Sequence, residues 1–135
     1  MDIEIFTLCD AATDQLGKVS LLGAFDTLWT LQLPVMVPHC AIVLRLRLTR
    51  IESGPHRIRL NLVDEDGHSI IPPLDANFTI QITDESAASN LVLNLQNLKL
   101  EKAGRYSIDL AIDGRQERSL PLYVKIQEKP PTSLH

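Results

Sequence analysis

Four arginines, Arg45, Arg47, Arg57 and Arg59, are the residues of this chain whose type and spacing come nearest to chemistry. Arg45 and Arg47 alternate with Ile42, Leu44, Leu46 and Leu48, and Arg57 and Arg59 alternate with Ile58, Leu60 and Leu62. A period of two puts each apolar set on one face of a strand and the arginines on the other. A hairpin across Ile51–Pro55 that keeps both apolar sets together pairs Leu48 with Ile58 and Leu46 with Leu60. Arg47 then faces Arg59, Thr49 faces Arg57 and Arg45 faces Asn61. Like charges directly opposed across a sheet are destabilising, so this face asks for counter-charge. One source is a small anion or acidic partner held by guanidinium forks. The ordinary source is an acid from a neighbouring strand, with Glu4, Asp26 and Asp109 as candidates, or side chains that splay into water.

The other reactive residue types are sparse. Asp64-Glu65-Asp66-Gly67 resembles the start of a calcium loop, but the later ligands and the closing Glu are missing, and calcium needs six or more oxygens. It reads as a turn. His39, His56 and His68, with Cys9 and Cys40, show neither C-x₂-C nor H-x₃-H spacing, so no metal is expected. Cys40 beside His39 could be an activated thiol only in an electropositive, accessible setting; a buried, inert cysteine is the commoner case. The chain has no GxSxG, P-loop, GxGxxG or HExxH motif, so neither cofactor nor catalysis is expected. Its aromatics are one Trp, two Tyr and three Phe, of which only Trp29 and Tyr123 are candidates for the surface. Those are too few for a sugar platform.

The elements that must position these residues are strands. The chain has 135 residues, 44% of them apolar, with a formal charge of -4 and mean hydropathy of +0.03. That describes one globular domain, expected over residues 1–127, followed by a polar, Pro-rich tail at 128–135 expected to be disordered. The acidic balance disfavours a nucleic-acid partner, and no apolar run is long enough to span a membrane. MDIEIFTLCD lacks the features of a secretory signal, and two cysteines in such a chain suggest reduced thiols, so the expected location is the cytoplasm.

Strands are read over residues 2–9, 39–50, 56–63 and 68–71, around Phe78–Ile82, and over Leu91–Gln96, Tyr106–Ile112 and 120–126. Residues 84–90 read as a polar loop. Gly23, inside the apolar segment Lys18–Pro34, suggests a bulge or a switch between sheets. Asp113-Gly114 is a strong hairpin turn, and Pro121 belongs at an edge or bulge. Residues 3–8 and 19–31 are apolar on both faces, whereas a sandwich strand normally has one wet face. A second subunit would cover the extra face, as would an intrachain loop such as residues 72–76; self-association through these N-terminal strands is the expectation.

Leu91, Leu93 and Leu95 fall on odd positions and Leu98 and Leu100 on even ones, so a strand is expected to end near Gln96 and the chain to turn a corner through Asn97–Gly104. Leu100, then Ala103-Gly104, then Tyr106 resembles the E–F corner of immunoglobulin-like domains, in which the Tyr hydroxyl returns to the backbone upstream. Lys102 stands where that pattern prefers Asp, and Ile108 stands where the disulfide Cys would be. The resemblance implies an all-β, immunoglobulin-like antiparallel sandwich of about eight strands without the intersheet disulfide, with Tyr106, Gly104 and Leu100 structural. It also disperses Asp64, Asp84 and Asp113 over opposite ends. LCDAA, Gly17-Lys-Val, LLGAFDTLW and, more faintly, GPHRIRLNLVDEDG resemble a family of uncharacterised bacterial proteins defined as a domain of unknown function. That resemblance implies a bacterial β protein and transfers no activity.

The expected function is thus a non-catalytic protein-interaction or structural module that forms a homo-oligomer or binds a protein partner. The alternative is a binder of a small anion through Arg45, Arg47, Arg57 and Arg59.

Overall fold

A computed structural model describes residues 1–127; the expected tail at 128–135 lies outside the described residues. These fold into two packed sheets. The strands are β1 (Asp2–Gln15), β2 (Lys18–Ala24), β3 (Thr27–Thr30), β4 (Val35–Thr49), β5 (Gly54–Val63), β6 (Leu74–Ile80), β7 (Ser86–Leu100), β8 (Gly104–Ile112) and β9 (Arg115–Ile126), with one 3-10 turn at Arg50–Glu52. One sheet has four strands in the order β2-β1-β4-β7, and the other has five in the order β3-β9-β8-β5-β6. Every pairing is antiparallel except β3 with β9, which run parallel.

The two arginine-bearing strands are not a hairpin. β4 pairs with β1 and β7, whereas β5 pairs with β6 and β8 in the opposite sheet, so the expected Leu48–Ile58 register and the single arginine face are overturned. Alternation tells which side of a strand is apolar, but not whether its sequence neighbour lies beside it or across the core. Here the Arg50–Gly54 connection carries the chain across. Leu44, Leu46 and Leu48 then meet Ile58 and Leu60 from opposite sheets, sharing one core with Leu110 and Leu122. All are nearly or fully buried.

The change of phase in β7 is a kink inside one strand, not a corner. β7 runs unbroken to Leu100 and keeps its register with β4 throughout, from Thr49↔Ser86 to Val35↔Leu100. Asn97 adopts φ 54 opposite Pro38, and Pro38, His39, Gln96 and Asn97 are all exposed. β4 slips at the same point: Val35 and Val37 face the core on odd positions, and Cys40 and Ile42 on even ones. The expected loop at 84–90 is strand from Ser86 onward. The expected strand at 68–71 reduces to one bridge, Ser69 to Val63.

Gly23, at φ 67, lies where the chain leaves the four-stranded sheet. Phe25 N–H still donates to Leu8 in β1, while the next carbonyl, Asp26, accepts from Tyr123 in β9. The β8–β9 hairpin turns through Asp113 and Gly114, both at positive φ, as a two-residue turn matched to strand twist requires. Pro121 pairs with Ser107 on β8, and β3 joins the other side of β9 only from Tyr123 on, so its missing N–H costs no ladder bond there.

The second apolar face of the N-terminal strands is covered in part within the chain, while Leu22, Trp29 and Leu31 stay exposed. Past Cys9, β1 pairs only with β2, and Ala12, Val19 and Leu21 of this hairpin pack on Cys9, Ala41, Val43 and Val92. The hairpin tip reaches β7, where Asn90 Nδ2 donates to the Gly17 carbonyl at 3.1 Å. This flap covers the outer side of β1 around Cys9.

Candidate functional site

The four arginines form two separated clamps, each closed on a carboxylate of this chain. β1 carries an irregularity between Ile3 and Ile5 that leaves Glu4 as an extra residue opposite β4, and such bulges re-aim a side chain. Glu4 Oε1 lies 2.8 Å from Arg45 Nε and its Oε2 lies 2.7 Å from Arg47 Nε. Hydrogen bonds from Arg47 and then Arg45 hold the Glu4 carboxyl below its usual range. The free arms of the forks continue to β7: Arg45 Nη1 donates to Asn90 Oδ1 at 2.9 Å and Arg47 Nη1 to Ser86 Oγ at 3.0 Å. This pair ties β1, β4 and β7 together on the outer face of the four-stranded sheet. On the other sheet Arg57 and Arg59 approach Asp75 of β6 at 3.5 and 4.0 Å.

His56 and Asp113 form a close titratable pair. His56 Nδ1 lies 2.7 Å from Asp113 Oδ2, and Nε2 lies 2.6 Å from the Glu52 carbonyl oxygen. Two acceptors call for two ring N–H donors, which only the imidazolium offers. The Glu52 carbonyl first, and Asp113 second, push His56 above the ordinary histidine value. His56 and then the Arg57 amide hold Asp113 below the ordinary carboxylate value. The His56 contribution to stability is fully present below the unfolded-state value, about 6.5, and is lost as pH rises through the raised folded value. The Asp113 contribution is present above about 3.9 and is lost as pH falls. The thermal midpoint is therefore expected to fall as pH rises above the unfolded-state value and through the raised folded one, and less steeply in His56→Asn, which cannot titrate. Equal slopes in the two proteins would remove His56 as the cause.

The remaining clusters have local explanations. Ligand atoms of Asp64, Asp66 and His68 lie within 4.8 Å of one another, a grouping that spacing rules for metal motifs did not raise. Asp64 Oδ1 already accepts the N–H groups of Asp66 and His68 at 3.0 and 2.9 Å, which is the chemistry of a turn. Cys9 and Cys40 are free and buried, on opposite faces of the four-stranded sheet. Burial, with Cys9 and Asp10 nearby, pushes the Cys40 thiol up to about 11, away from a nucleophile's range. Tyr123 and Trp29 share one cation on the outer face of the five-stranded sheet. Lys125 Nζ stands 5.3 Å from the Trp29 ring and 5.7 Å from the Tyr123 ring, and Arg105 stands 5.9 Å from Tyr123. Cations occupy the faces on which a sugar would stack. An open groove of about 350 Å3 between β1 and β9, lined by Thr7, Leu8, Phe25, Asp26, Leu120 and Pro121, brings together neither a nucleophile and base nor several charges.

The feature with unspent binding capacity is the edge of β7. This 15-residue strand is the last of its sheet, paired with β4 on one side and with no strand on the other among the described residues. Half of its backbone N–H and C=O groups thus point away from the ladder. Natural edges of this length carry charge, proline or inward-pointing lysine that discourages pairing. Ser86 to Leu98 contains no Asp, Glu, Lys, Arg or Pro. Beside this edge a small cleft between β7 and β6 opens toward Leu44, Leu46 and Ile58, with Phe78 and Leu91 on its rims. The sequence carried the signal, an uncharged run bounded by Glu85 and Lys99, but only strand order reveals that it lies at an edge.

A family model described as "Family of unknown function (DUF6941)" matches residues 4–125. No curated protein matches the chain.

Proposed function

Because the chain belongs to this family of unknown function, and no activity comes with membership, we propose from its own surfaces that it is a non-catalytic interaction module receiving an extended strand on β7. The observation that carries this reading is the long, uncharged, one-sided edge of that strand. Strand addition obtains affinity from main-chain hydrogen bonds and specificity from pockets for alternate side chains. The β6–β7 cleft supplies an apolar lodging for such side chains. The rungs from Glu4 through Arg45 and Arg47 to Asn90 and Ser86 brace the edge from one face, so that it is presented already extended. Pre-organisation of this kind lowers the cost of binding.

The same reading includes an immunoglobulin-like architecture with a tyrosine corner. Supporting it are the crossing of β4 and β5 between sheets, the parallel β3–β9 pair, and the Tyr106 hydroxyl, which donates to the Lys102 carbonyl at 2.6 Å. A reducing compartment, the cytoplasm, suits two buried free thiols that face away from each other. Among the described residues no helix is long and apolar enough to cross a membrane.

The test is a backbone-amide spectrum of the isotopically labelled chain, titrated with a lysine-flanked peptide of alternating Thr and Val. Shifts and slowed hydrogen exchange along Ser86–Leu98 are the expected result. Changes confined to other strands, or none at millimolar peptide, would overturn the reading.

A further inference from the structure

We propose that His56 is a pH-sensitive latch on the crossover between the two sheets. Charged, it locks the Arg50–Gly54 segment to the β8–β9 turn and, through that segment, steadies the connection that starts β7. Neutral, it lets the segment go.

The crossover is held by polar contacts more than by packing. Its 3-10 turn contains no buried residue, and Ile51 is 93% exposed, so burial does little to fix it. Within the turn Glu52 Oε1 accepts the Thr49 N–H at 2.8 Å. The tie to the β8–β9 turn runs from the Glu52 carbonyl through the His56 ring to Asp113. The crossover in turn holds the β6–β7 connection. Arg50 Nη2 donates to the Thr83 carbonyl at 2.9 Å and its Nε to the Asp84 carbonyl at 3.3 Å, while Ser53 Oγ accepts the Ile82 N–H at 3.1 Å. β7 begins just beyond, at Ser86.

The imidazolium has an N–H for each of its two acceptors, and the neutral ring has one. The remaining proton stays on Nδ1, because the Asp113 carboxylate accepts more strongly than a carbonyl. Nε2 then turns a lone pair on the Glu52 carbonyl oxygen at 2.6 Å, two acceptors with no proton between them. That contact gives way, and the carbonyl turns to water.

The charges acting on the ring are Asp113, from the β8–β9 turn, and Glu52, from the 3-10 turn. His56 and then the Arg57 N–H hold Asp113 below the ordinary carboxylate range. The Thr49 N–H foremost does the same for Glu52, whose Oε2 lies 3.0 Å from the Met1 amino group. Both acids thus stay ionised while the ring titrates. From β6 the ring meets Phe78, at 5.4 Å between centroids, while Asp75 of that strand is engaged with Arg57 and Arg59. Because its partners favour the charged ring, the latch is closed at low pH and opens as pH rises through the folded-state value.

The experiment follows the His56 ring resonances and backbone-amide exchange of the isotopically labelled full chain across pH, with exchange expressed as protection relative to the unstructured rate. Protection of the Ser53 and Ile82 amides is expected to fall about tenfold in step with the ring's titration. The amides of Ile108 and Leu110, in the core strand β8, should keep theirs. Asp113→Asn removes the carboxylate's charge yet retains an oxygen for the Arg57 N–H, and Asn tolerates the positive φ of this turn. It is expected to move the ring titration and the loss of protection together to lower pH. Ser53 and Ile82 amides that ignore the ring's titration would overturn the latch. So would a loss of protection shared by β8, which is global unfolding, or one that stays put when Asp113→Asn moves the ring. Should Asp113→Asn fail to fold, the titration of the unaltered chain decides by itself.

Discussion

Leu110→Ala is expected to lower the free energy of unfolding by about 2–5 kcal/mol, the range for removing a buried leucine side chain from a packed core. Leu110 is fully buried in β8, the central strand of the five-stranded sheet, opposite Leu60 on β5. Leu44, Leu46 and Leu48 close over this layer from the other sheet. Two sheets stapled by backbone ladders on both sides of the core cannot collapse far into a new void. The upper part of that range is therefore favoured, since the cost rises with the cavity that remains. Denaturant titration should show a lower midpoint with the slope unchanged. A loss below about 1 kcal/mol would mean that the sheets close up around the site.

Tyr106→Phe is the second large effect, at about 1–3 kcal/mol. The ring is buried and stays in place; only the hydroxyl goes. That oxygen donates to the Lys102 carbonyl at 2.6 Å and accepts the Lys102 N–H at 3.2 Å, so one atom satisfies both backbone groups of the residue that turns β7 into β8. Water can replace part of this, because Lys102 itself is exposed, and that sets the lower limit. The turn has a second brace from the Asp64 loop, where Glu65 Oε1 accepts the Arg105 N–H at 2.7 Å. The variant should fold, unfold at lower temperature, and exchange the Lys102 amide faster than the parent. A Tm within error of the parent would show that the Glu65 contact suffices.

Much of the fold could be read from alternation. The all-β class, the inward rows of β4, β5, β8 and β9, the Asp113-Gly114 turn and the significance of Gly23 all rest on local rules, and the chain obeys them. What failed was non-local. The run from Ile42 to Leu48 and the run from Ile58 to Leu62 look like hairpin partners because they are near in sequence and share a pattern. That same pattern serves two strands facing each other across a core, and only tertiary competition decides. The expected single arginine face followed from that error: with β4 and β5 in different sheets, Arg47 does not pair with Arg59. Glu4 was available as a counter-charge by reason of residue type, but the bulge that turns it onto Arg45 and Arg47 leaves no mark in a period-two pattern. The edge of β7 was hidden for the opposite reason. Ser86-Ala-Ala-Ser-Asn90 is small and polar and reads as loop, yet it is strand because β4 supplies a full-length partner.

The paired kink at Pro38 and Asn97 bears on how chains of this family can change length. On each side of it, β4 and β7 follow opposite parities, and the two strands change parity together. A single-residue deletion in β7 alone would turn either Leu91–Leu95 or Leu98–Leu100 out of the core, whichever lies beyond the cut. A matching deletion in β4 would restore both rows at once. Indels in these two strands should therefore appear in descendants only as coupled events, one in each strand at facing positions, while the loops at Asp64–Gly67 and Gln32–Pro34 remain free to vary one residue at a time.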